Sequence, residues 1–261
     1  MQKSSRRNRQ TTAVILHNQK LVYVVTEKVA STTLYYAMLQ TAGMEETSQN
    51  PRRWLRSAAA RKRVRDSGVD IRKIDPQEIS RLRVELADYF WFCAKRDPFR
   101  RVISGYKDKI HKTIRNGDFA TYLLAEARGF GASFVSSKNR RDCRLDALHR
   151  SVDLARFMVL IERLGVGFDV HFEQQVRITR FGEVDYDFVV SVEDFDKDIE
   201  TLHQILAGRS IDLKVPEVRL NQARLPSRPI TLPEDFREKV VELYAPDFEA
   251  FDYDPEARIR L

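Results

Sequence analysis

Glycine and proline are scarce in this chain, with 10 and 9 among 261 residues, and it contains no internal repeat or low-complexity tract. Together with a hydrophobic fraction of 43%, this composition predicts one globular domain over residues 1–261. Within that domain we expect a basic, flexible N-terminus over residues 1–12 and an inserted basic helical subregion over residues 51–87.

Cysteines and long apolar runs are also few. Cys93 lies in a predicted buried strand and Cys143 in a polar stretch, which argues against a structural disulfide. The apolar runs fall far short of the roughly 20 residues of a membrane span, and the basic N-terminus is not followed by the apolar segment of a signal peptide. We therefore expect a cytoplasmic protein.

Several familiar motifs are missing. The chain lacks G-x-x-x-x-G-K-S/T, which argues against a nucleotide kinase of the P-loop type. It also lacks a helix-turn-helix, zinc-finger or RNP-like pattern, so no nucleic-acid partner is expected.

One short segment, Lys28-Val-Ala-Ser-Thr-Thr33, stands between the apolar run Leu21-Val-Tyr-Val-Val-Thr26 and a helix-like stretch. This order predicts a strand, a turn and a helix N-terminus. Helix starts hold anions through their unpaired N–H groups and positive dipole end, and the lysine and three hydroxyls add donors there. The segment favours a phosphate or phosphosulfate site; the alternative is a Ser/Thr-capped helix after a buried strand.

A second strand-to-helix junction reads Arg96-Asp-Pro-Phe-Arg-Arg-Val-Ile-Ser-Gly-Tyr106. Asp97 and Pro98 are typical of a helix N-cap and first turn, which leaves Arg96 at the strand end. An arginine fork matches a phosphate, and the hydroxyl of Ser104 can complete the contact. Two such junctions are what a nucleotide with phosphates at both ends requires.

The pair of junctions resembles the sulfotransferases that use 3′-phosphoadenosine-5′-phosphosulfate, specifically the Golgi carbohydrate type and its bacterial relatives. That family carries P-K-x-x-S/T-S/T for the 5′-phosphosulfate and R-D/H-P-F/Y-x-R-x-x-S-x-F/Y for the 3′-phosphate. The resemblance therefore implies a metal-free donor site formed by Lys28, Val29, Ala30, Ser31, Thr32, Thr33, Arg96 and Ser104. Glu27 stands where the family has proline, so a negative charge adjoins the expected site.

Weaker similarity extends the resemblance from about residue 20 to about residue 255. His171-Phe-Glu-Gln-Gln175 is similar to the family element H-W/F-x-x-Q, and Tyr244–Tyr253 to its closing motif. Animal relatives are anchored in the Golgi and often carry disulfides, so the absence of both features here indicates a bacterial cytoplasmic version.

The activity implied is in-line transfer of a sulfuryl group to a hydroxyl of a carbohydrate or glycolipid acceptor. Lys28 suits stabilisation of the charge that builds on the departing phosphate. Histidine titrates near neutral pH, which makes His171 the expected base. The alternatives for that role are His111, then His17, and the carboxylates Glu173 and Glu193. Arg224 or Arg228, in a polar loop before the last helix, could also reach the 3′-phosphate.

Positive charge is concentrated in residues 51–73, which hold nine Lys or Arg against two Asp, within a chain of formal net charge +7. The stretch fits an anionic acceptor such as an acidic polysaccharide, a peripheral contact with an anionic membrane surface, or a solvated basic helix. Two alternative functions stay open. A kinase-like phosphotransferase would share the strand–loop–helix mode of phosphate binding, and a non-catalytic polyanion-binding protein would use the basic stretch.

Apolar runs alternate with helix-like stretches along the chain. Strands are predicted at 21–26, 89–95, 176–180 and 187–192, and helices over 31–42, 52–66, 76–87, 98–112, 118–127, 151–164, 194–207 and 233–245. This alternation predicts a three-layer α/β/α fold with a central parallel sheet. The family resemblance further implies a P-loop-like nucleotide-binding core with extra helices. Ligands in such sheets bind at the carboxyl ends of the strands, where Lys28, Arg96 and Glu193 fall.

Overall fold

The computed structural model describes residues 10–108, 154–217, 220, 232 and 234–257. The strands are β1 (Thr11–Leu16), β2 (Leu21–Val25), β3 (Val69–Ile74), β4 (Phe90–Lys95) and β5 (Phe188–Ser191). The helices are α1 (Ser31–Thr41), α2 (Pro51–Trp54), α3 (Ala58–Asp66), α4 (Ile79–Glu85), α5 (Pro98–Tyr106), α6 (Leu154–Leu164), α7 (Gln175–Thr179), α8 (Phe195–Ala207) and α9 (Glu234–Ala250). No helix in these ranges is both long enough and apolar enough to cross a bilayer.

The five strands form one sheet in the order β3-β1-β2-β4-β5. Strands β2, β4 and β5 run parallel, whereas β1 is antiparallel to both of its neighbours. The α/β class is thus confirmed, but the sheet is mixed rather than wholly parallel. The physical reason is the short connection from Leu16 to Leu21, since a tight hairpin can join only antiparallel strands.

Helices cover both faces of the sheet, as the three-layer prediction requires. On one face α1, α3 and α8 bury apolar side chains against Tyr23, Phe92 and Val190. On the other face α4 packs against Val24, Trp91 and Cys93. Helices α5, α6 and α9 form a further apolar cluster beside the sheet. Strands β2 and β4 are therefore buried from both sides, whereas the edge strand β5 is half-buried over Phe188 and Val189.

Three local predictions are wrong. Residues 69–74 lie within the predicted helical subregion 51–87 but form the edge strand β3, which pairs with β1 along its length. Strand β1 begins at Thr11, inside the segment predicted as flexible. Residues 175–179 form helix α7 instead of a strand. In each case contacts with distant parts of the chain outweigh local composition.

Some predictions concern residues beyond the described ranges. These are the helix over 118–127, Cys143, His111, Arg224 and Arg228.

Candidate active site

The segment between β2 and α1 makes a turn of unusual backbone conformation. Lys28 has φ +69° and Ala30 has φ +54°, both in the left-handed region that L-residues rarely adopt. Ala30 precedes α1 and offers no side-chain cap to it. Because the first N–H groups of a helix have no partner within the helix, an uncapped start is suited to an anion. We call residues 27–33 the lysine loop.

The side chains of this loop differ in their surroundings. Val29 is fully buried, so only its backbone can face a ligand. The Ser31 hydroxyl lies 3.5 Å from Glu27 Oε2, and Thr33 Oγ1 accepts a hydrogen bond of 2.9 Å from the Leu220 N–H. Lys28 Nζ lies 3.1 Å from Asp108 Oδ2, just beyond the end of α5. The loop thus brings its ammonium to the edge where α5 ends.

Arg96 joins the two sequence motifs directly. Its Nη1 donates a 3.0 Å hydrogen bond to the carbonyl of Lys28, 68 residues earlier in the chain. Its Nε is buried and has no hydrogen-bond partner among the described residues. A buried guanidinium N–H without an acceptor is costly, so this atom is well placed to bind an anion.

A second cation adjoins this guanidinium. Burial lowers the pKa of Arg96, and burial together with the Arg96 charge lowers the pKa of Lys107. Ser104 lies half-buried on α5 and its carbonyl accepts from the Lys107 N–H. Two mutually repelling cations beside an unpaired donor are electrostatically suited to a phosphate.

The backbone of Arg96 is fixed by Gln175. The Gln175 amide accepts from the Arg96 N–H at 2.9 Å and donates to the Arg96 carbonyl at 2.8 Å. Gln175 is fully buried at the start of α7. This two-point contact sets the position from which the arginine side chain extends.

Asp247 in turn fixes Gln175. Its buried carboxylate accepts from the N–H groups of Gln175 and Val176, both at 2.9 Å. Helix α9 is kinked at Tyr244, and Pro246 follows within it, since proline cannot continue the hydrogen-bond ladder. The negative side chain at the N-terminus of α7 explains why this segment is helical despite its β-branched residues.

Replacing Gln175 by alanine is expected to weaken nucleotide binding by about tenfold, because two hydrogen bonds that fix the Arg96 backbone are lost. Titration calorimetry with adenosine 3′,5′-bisphosphate measures this change. Gln204→Ala, at an exposed position of α8, is the matched control and should leave affinity unchanged. Equal affinities for wild type and Gln175→Ala would show that the glutamine does not position the arginine.

Arg101 clamps two neighbouring segments together. It is 1% exposed and donates from Nε to the Glu27 carbonyl at 3.1 Å and from Nη1 to the Glu173 carbonyl at 2.7 Å. Its Nη2 lies 3.4 Å from the Val170 carbonyl. The arginine therefore holds the lysine loop against residues 170–173, the segment that carries His171.

His171 lies beside the lysine loop with one ring nitrogen fixed. Asp169 Oδ1 is 2.6 Å from Nδ1 and also accepts the His171 backbone N–H at 2.8 Å. Because a carboxylate can only accept, Nδ1 carries a proton and Nε2 is the basic nitrogen of the neutral ring. Nε2 lies 4.0 Å from Glu27 Oε2, on the side of the lysine loop.

A glycine on α5 allows that helix to pack closely against the segment that carries His171. A Cβ on Gly105 of α5 would lie 2.6 Å from a ring carbon of Phe172, the residue after His171. Only a residue without a side chain lets α5 pack so closely against this segment.

The other candidate bases have different positions. His17 lies in the β1–β2 turn at the opposite end of β2 from Lys28, 3.0 Å from the Tyr89 hydroxyl. Glu193 accepts hydrogen bonds from the Asp97 N–H and from the hydroxyls of Ser191 and Tyr253. Glu193 thus supports the Arg96–Asp97 turn.

Glu173 Oε1 accepts from the Gln174 N–H and lies 3.9 Å from Arg177. These contacts give this carboxylate a local structural role. Among the histidines of the described ranges, His171 is the one that the fold brings to the lysine loop.

The basic stretch is only partly neutralised. Three of its cations form ion pairs: Arg52 with Glu27 at 2.5 Å, Arg63 with Glu46 at 2.6 Å, and Arg72 with Asp70 at 2.5 Å. Within the described part of the chain the others contact no carboxylate, namely Arg53, Arg56, Arg61, Lys62, Arg65 and Lys73. All six of these are exposed, and we call them the basic face.

Among the described residues, no three His, Cys, Asp or Glu side chains are grouped so that they could hold a metal ion. The polar groups of the site are instead dominated by cationic and N–H donors, which suit an anion.

Comparison with known proteins agrees with this geometry. The model of the sulfotransferase family matches residues 11–254. Carbohydrate sulfotransferase 12 of Mus musculus is 27% identical over 187 residues, which cover 69% of this chain and 44% of the mouse protein. The alignment thus spans less than half the length of that relative. No solved structure matches significantly. With nearly its whole length matched by one family model, and with the lysine loop and Arg96 in contact, the chain belongs to the sulfotransferase family.

Proposed function

We propose that this protein transfers a sulfuryl group from 3′-phosphoadenosine-5′-phosphosulfate to a hydroxyl of a carbohydrate or glycolipid. The observation that carries the proposal is the contact between Arg96 and the Lys28 carbonyl, which makes one continuous site of the two anion-binding junctions. A donor with phosphate groups at both ends of the nucleoside fits such a site, and a ligand with one phosphate would leave half of it unused.

The residues present fit this donor. The left-handed turn and uncapped α1 start suit the 5′-phosphosulfate, with Lys28, Ser31, Thr32 and Thr33 as further donors. The unpaired Arg96 Nε supports a role for that residue at the 3′-phosphate, with Lys107 beside it and Ser104 one turn before. Neither role calls for a metal, because the cationic side chains supply the charge.

The chemical step follows from the position of His171. The acceptor oxygen bonds to sulfur as the bond from sulfur to the 5′-phosphate oxygen breaks. The acceptor proton passes to His171 Nε2, and the phosphate leaves with the bonding electron pair. Lys28 stabilises the charge that builds on that phosphate, and Asp169 stabilises the imidazolium.

The acceptor is proposed to be a carbohydrate, as the name of the mouse relative says of that protein. An anionic polysaccharide is the favoured form, because the basic face continues from Arg52, which reaches the lysine loop. An anionic membrane surface would use the same charges, and salt-dependent binding to vesicles but not to oligosaccharides would favour it.

Titration with adenosine 3′,5′-bisphosphate tests the donor site. The wild type should bind with a micromolar dissociation constant, and Arg96→Ala should weaken binding by about 10- to 100-fold, the worth of a charged hydrogen bond. Lys28→Ala should weaken it less, because the backbone of the loop remains. Arg209→Ala, which removes an exposed arginine from the far end of α8, is the control.

Other outcomes would favour other functions. Preference for ATP with magnesium would favour a kinase-like phosphotransferase. Strongly salt-dependent polyanion binding with no nucleotide affinity would favour a non-catalytic polyanion-binding protein.

A further inference from the structure

A carboxylate occupies an unfavourable position in the lysine loop. Glu27 directly precedes Lys28, its side chain is 13% exposed, and the Ser31 hydroxyl lies 3.5 Å from Oε2. The same loop is proposed to bind the 5′-phosphosulfate. An uncompensated carboxylate beside two phosphate charges would repel the donor in a site shielded from water.

Arg52 compensates this charge with a two-point contact. Its Nη2 lies 2.5 Å from Oε1 of Glu27 and its Nη1 donates to Oε2 at 3.0 Å. Such bidentate pairing is the strongest arrangement between a guanidinium and a carboxylate. Burial raises the pKa of Glu27, but Arg52 and then His171 stabilise the charged form and hold the pKa at about 2. The carboxylate is therefore ionised at neutral pH.

The local sequence fixes Arg52 in this position. Asn50 caps helix α2 by accepting the Arg53 N–H at 3.1 Å, and Pro51 occupies its first turn. Both Arg52 and Arg53 are exposed, but Arg52 pairs with Glu27, whereas Arg53 contacts no carboxylate among the described residues. The two adjacent arginines thus carry the same charge on the same helix, but among the described residues Arg52 alone of the two has a carboxylate partner.

We propose that Arg52 is a positioning residue for donor binding, which neutralises Glu27 so that the lysine loop can accept the phosphosulfate. This inference rests on the proposed function. It also assigns the first arginine of the basic stretch to the donor site, whereas the basic face beyond it serves the acceptor. The Arg52 charge then matters to donor binding because the Glu27 carboxylate is there to be neutralised, so the effects of changing the two residues are coupled.

Single and double charge-removing variants test the pair, with the affinity for adenosine 3′,5′-bisphosphate measured at fixed ionic strength. Arg52→Gln should weaken binding by about tenfold, as expected for one uncompensated charge several ångströms from the ligand. Glu27→Gln/Arg52→Gln should bind within about threefold of wild type, because both charges are gone. Arg52→Lys keeps the positive charge but loses the bidentate guanidinium, so its nucleotide affinity should fall between those of Arg52→Gln and the double variant.

Arg53→Gln is the matched control, since it removes the same charge from the same helix, and its affinity for adenosine 3′,5′-bisphosphate, measured without acceptor, should equal that of wild type. A double variant that binds no better than Arg52→Gln would overturn the proposal, as would an equal loss in Arg53→Gln. Should Arg52→Gln fail to fold, the double variant and Arg52→Lys still decide the question. Absence of binding in wild type would instead refute the proposed function, and this inference with it.

Discussion

Replacing His171 by alanine is expected to reduce the turnover number for sulfuryl transfer by about 10²- to 10⁴-fold, the usual contribution of a general base. The affinity for adenosine 3′,5′-bisphosphate should stay close to that of wild type, because the ring nitrogen Nε2 comes no nearer than 4.0 Å to the Glu27 carboxylate of the lysine loop. A transfer assay with a radiolabelled donor and a polysaccharide acceptor, run beside calorimetry, measures both quantities.

Two further variants test whether the loss of turnover is specific to His171 and its partner Asp169. Asp169→Asn should lower turnover less than His171→Ala, since Nδ1 loses its charged partner but the ring remains. His17→Gln should have no effect, because that side chain lies at the opposite end of β2. Turnover within a few-fold of wild type in His171→Ala would exclude this residue as the base and direct attention to His111.

Replacing Arg101 by methionine is expected to destabilise the fold by about 3–5 kcal/mol, the cost of removing one partner from a buried charged network. Three carbonyl groups and the buried Asp247 charge would lose the guanidinium that faces them. Methionine keeps most of the side-chain volume, so the decrease in the free energy of unfolding measures the lost polar contacts rather than the cost of a cavity. Urea unfolding followed by circular dichroism measures the free energy of unfolding.

Arg237→Met is the comparison for this second result. Arg237 also donates to backbone carbonyls, those of Pro255 and Ala257, and lies over the Phe99 ring, but it is half-buried on α9 and its hydrogen bonds hold the segment after that helix. A loss of about 1 kcal/mol is expected there. Equal losses in the two variants would show that the buried contacts of Arg101 contribute no more to stability than those of the half-buried Arg237.

The sequence was informative where chemistry and local structure coincide. Lys28, Arg96 and the Asp97–Pro98 helix start could be located because a strand, a turn and a helix N-terminus each leave a local signature. The structure shows the last of these as predicted, with the Asp97 carboxylate accepting the Arg100 N–H at 2.8 Å. The donor roles of Lys28, Ser31 and Ser104 remain predictions.

The residues that hold the site together were not predictable in the same way. Gln175 and Asp247 lie in segments whose family resemblance was visible, but no local pattern shows that one binds the Arg96 backbone and the other caps α7. Strand β3 was missed because its alternation is shallow and its charged residues resemble the helix before it. These features depend on contacts between residues far apart in sequence, which composition and periodicity do not record.

The dependence of Arg96 on Asp247, through Gln175, also sets an order of events during synthesis. The lysine loop and Arg96 leave the ribosome well before Asp247 and the Tyr253 hydroxyl that binds Glu193. Because nascent chains become structured from their N-terminus onwards, the sheet can assemble long before this arginine is held in place. A growing chain would therefore lack the arrangement proposed for nucleotide binding until residues 247–253 had also been made.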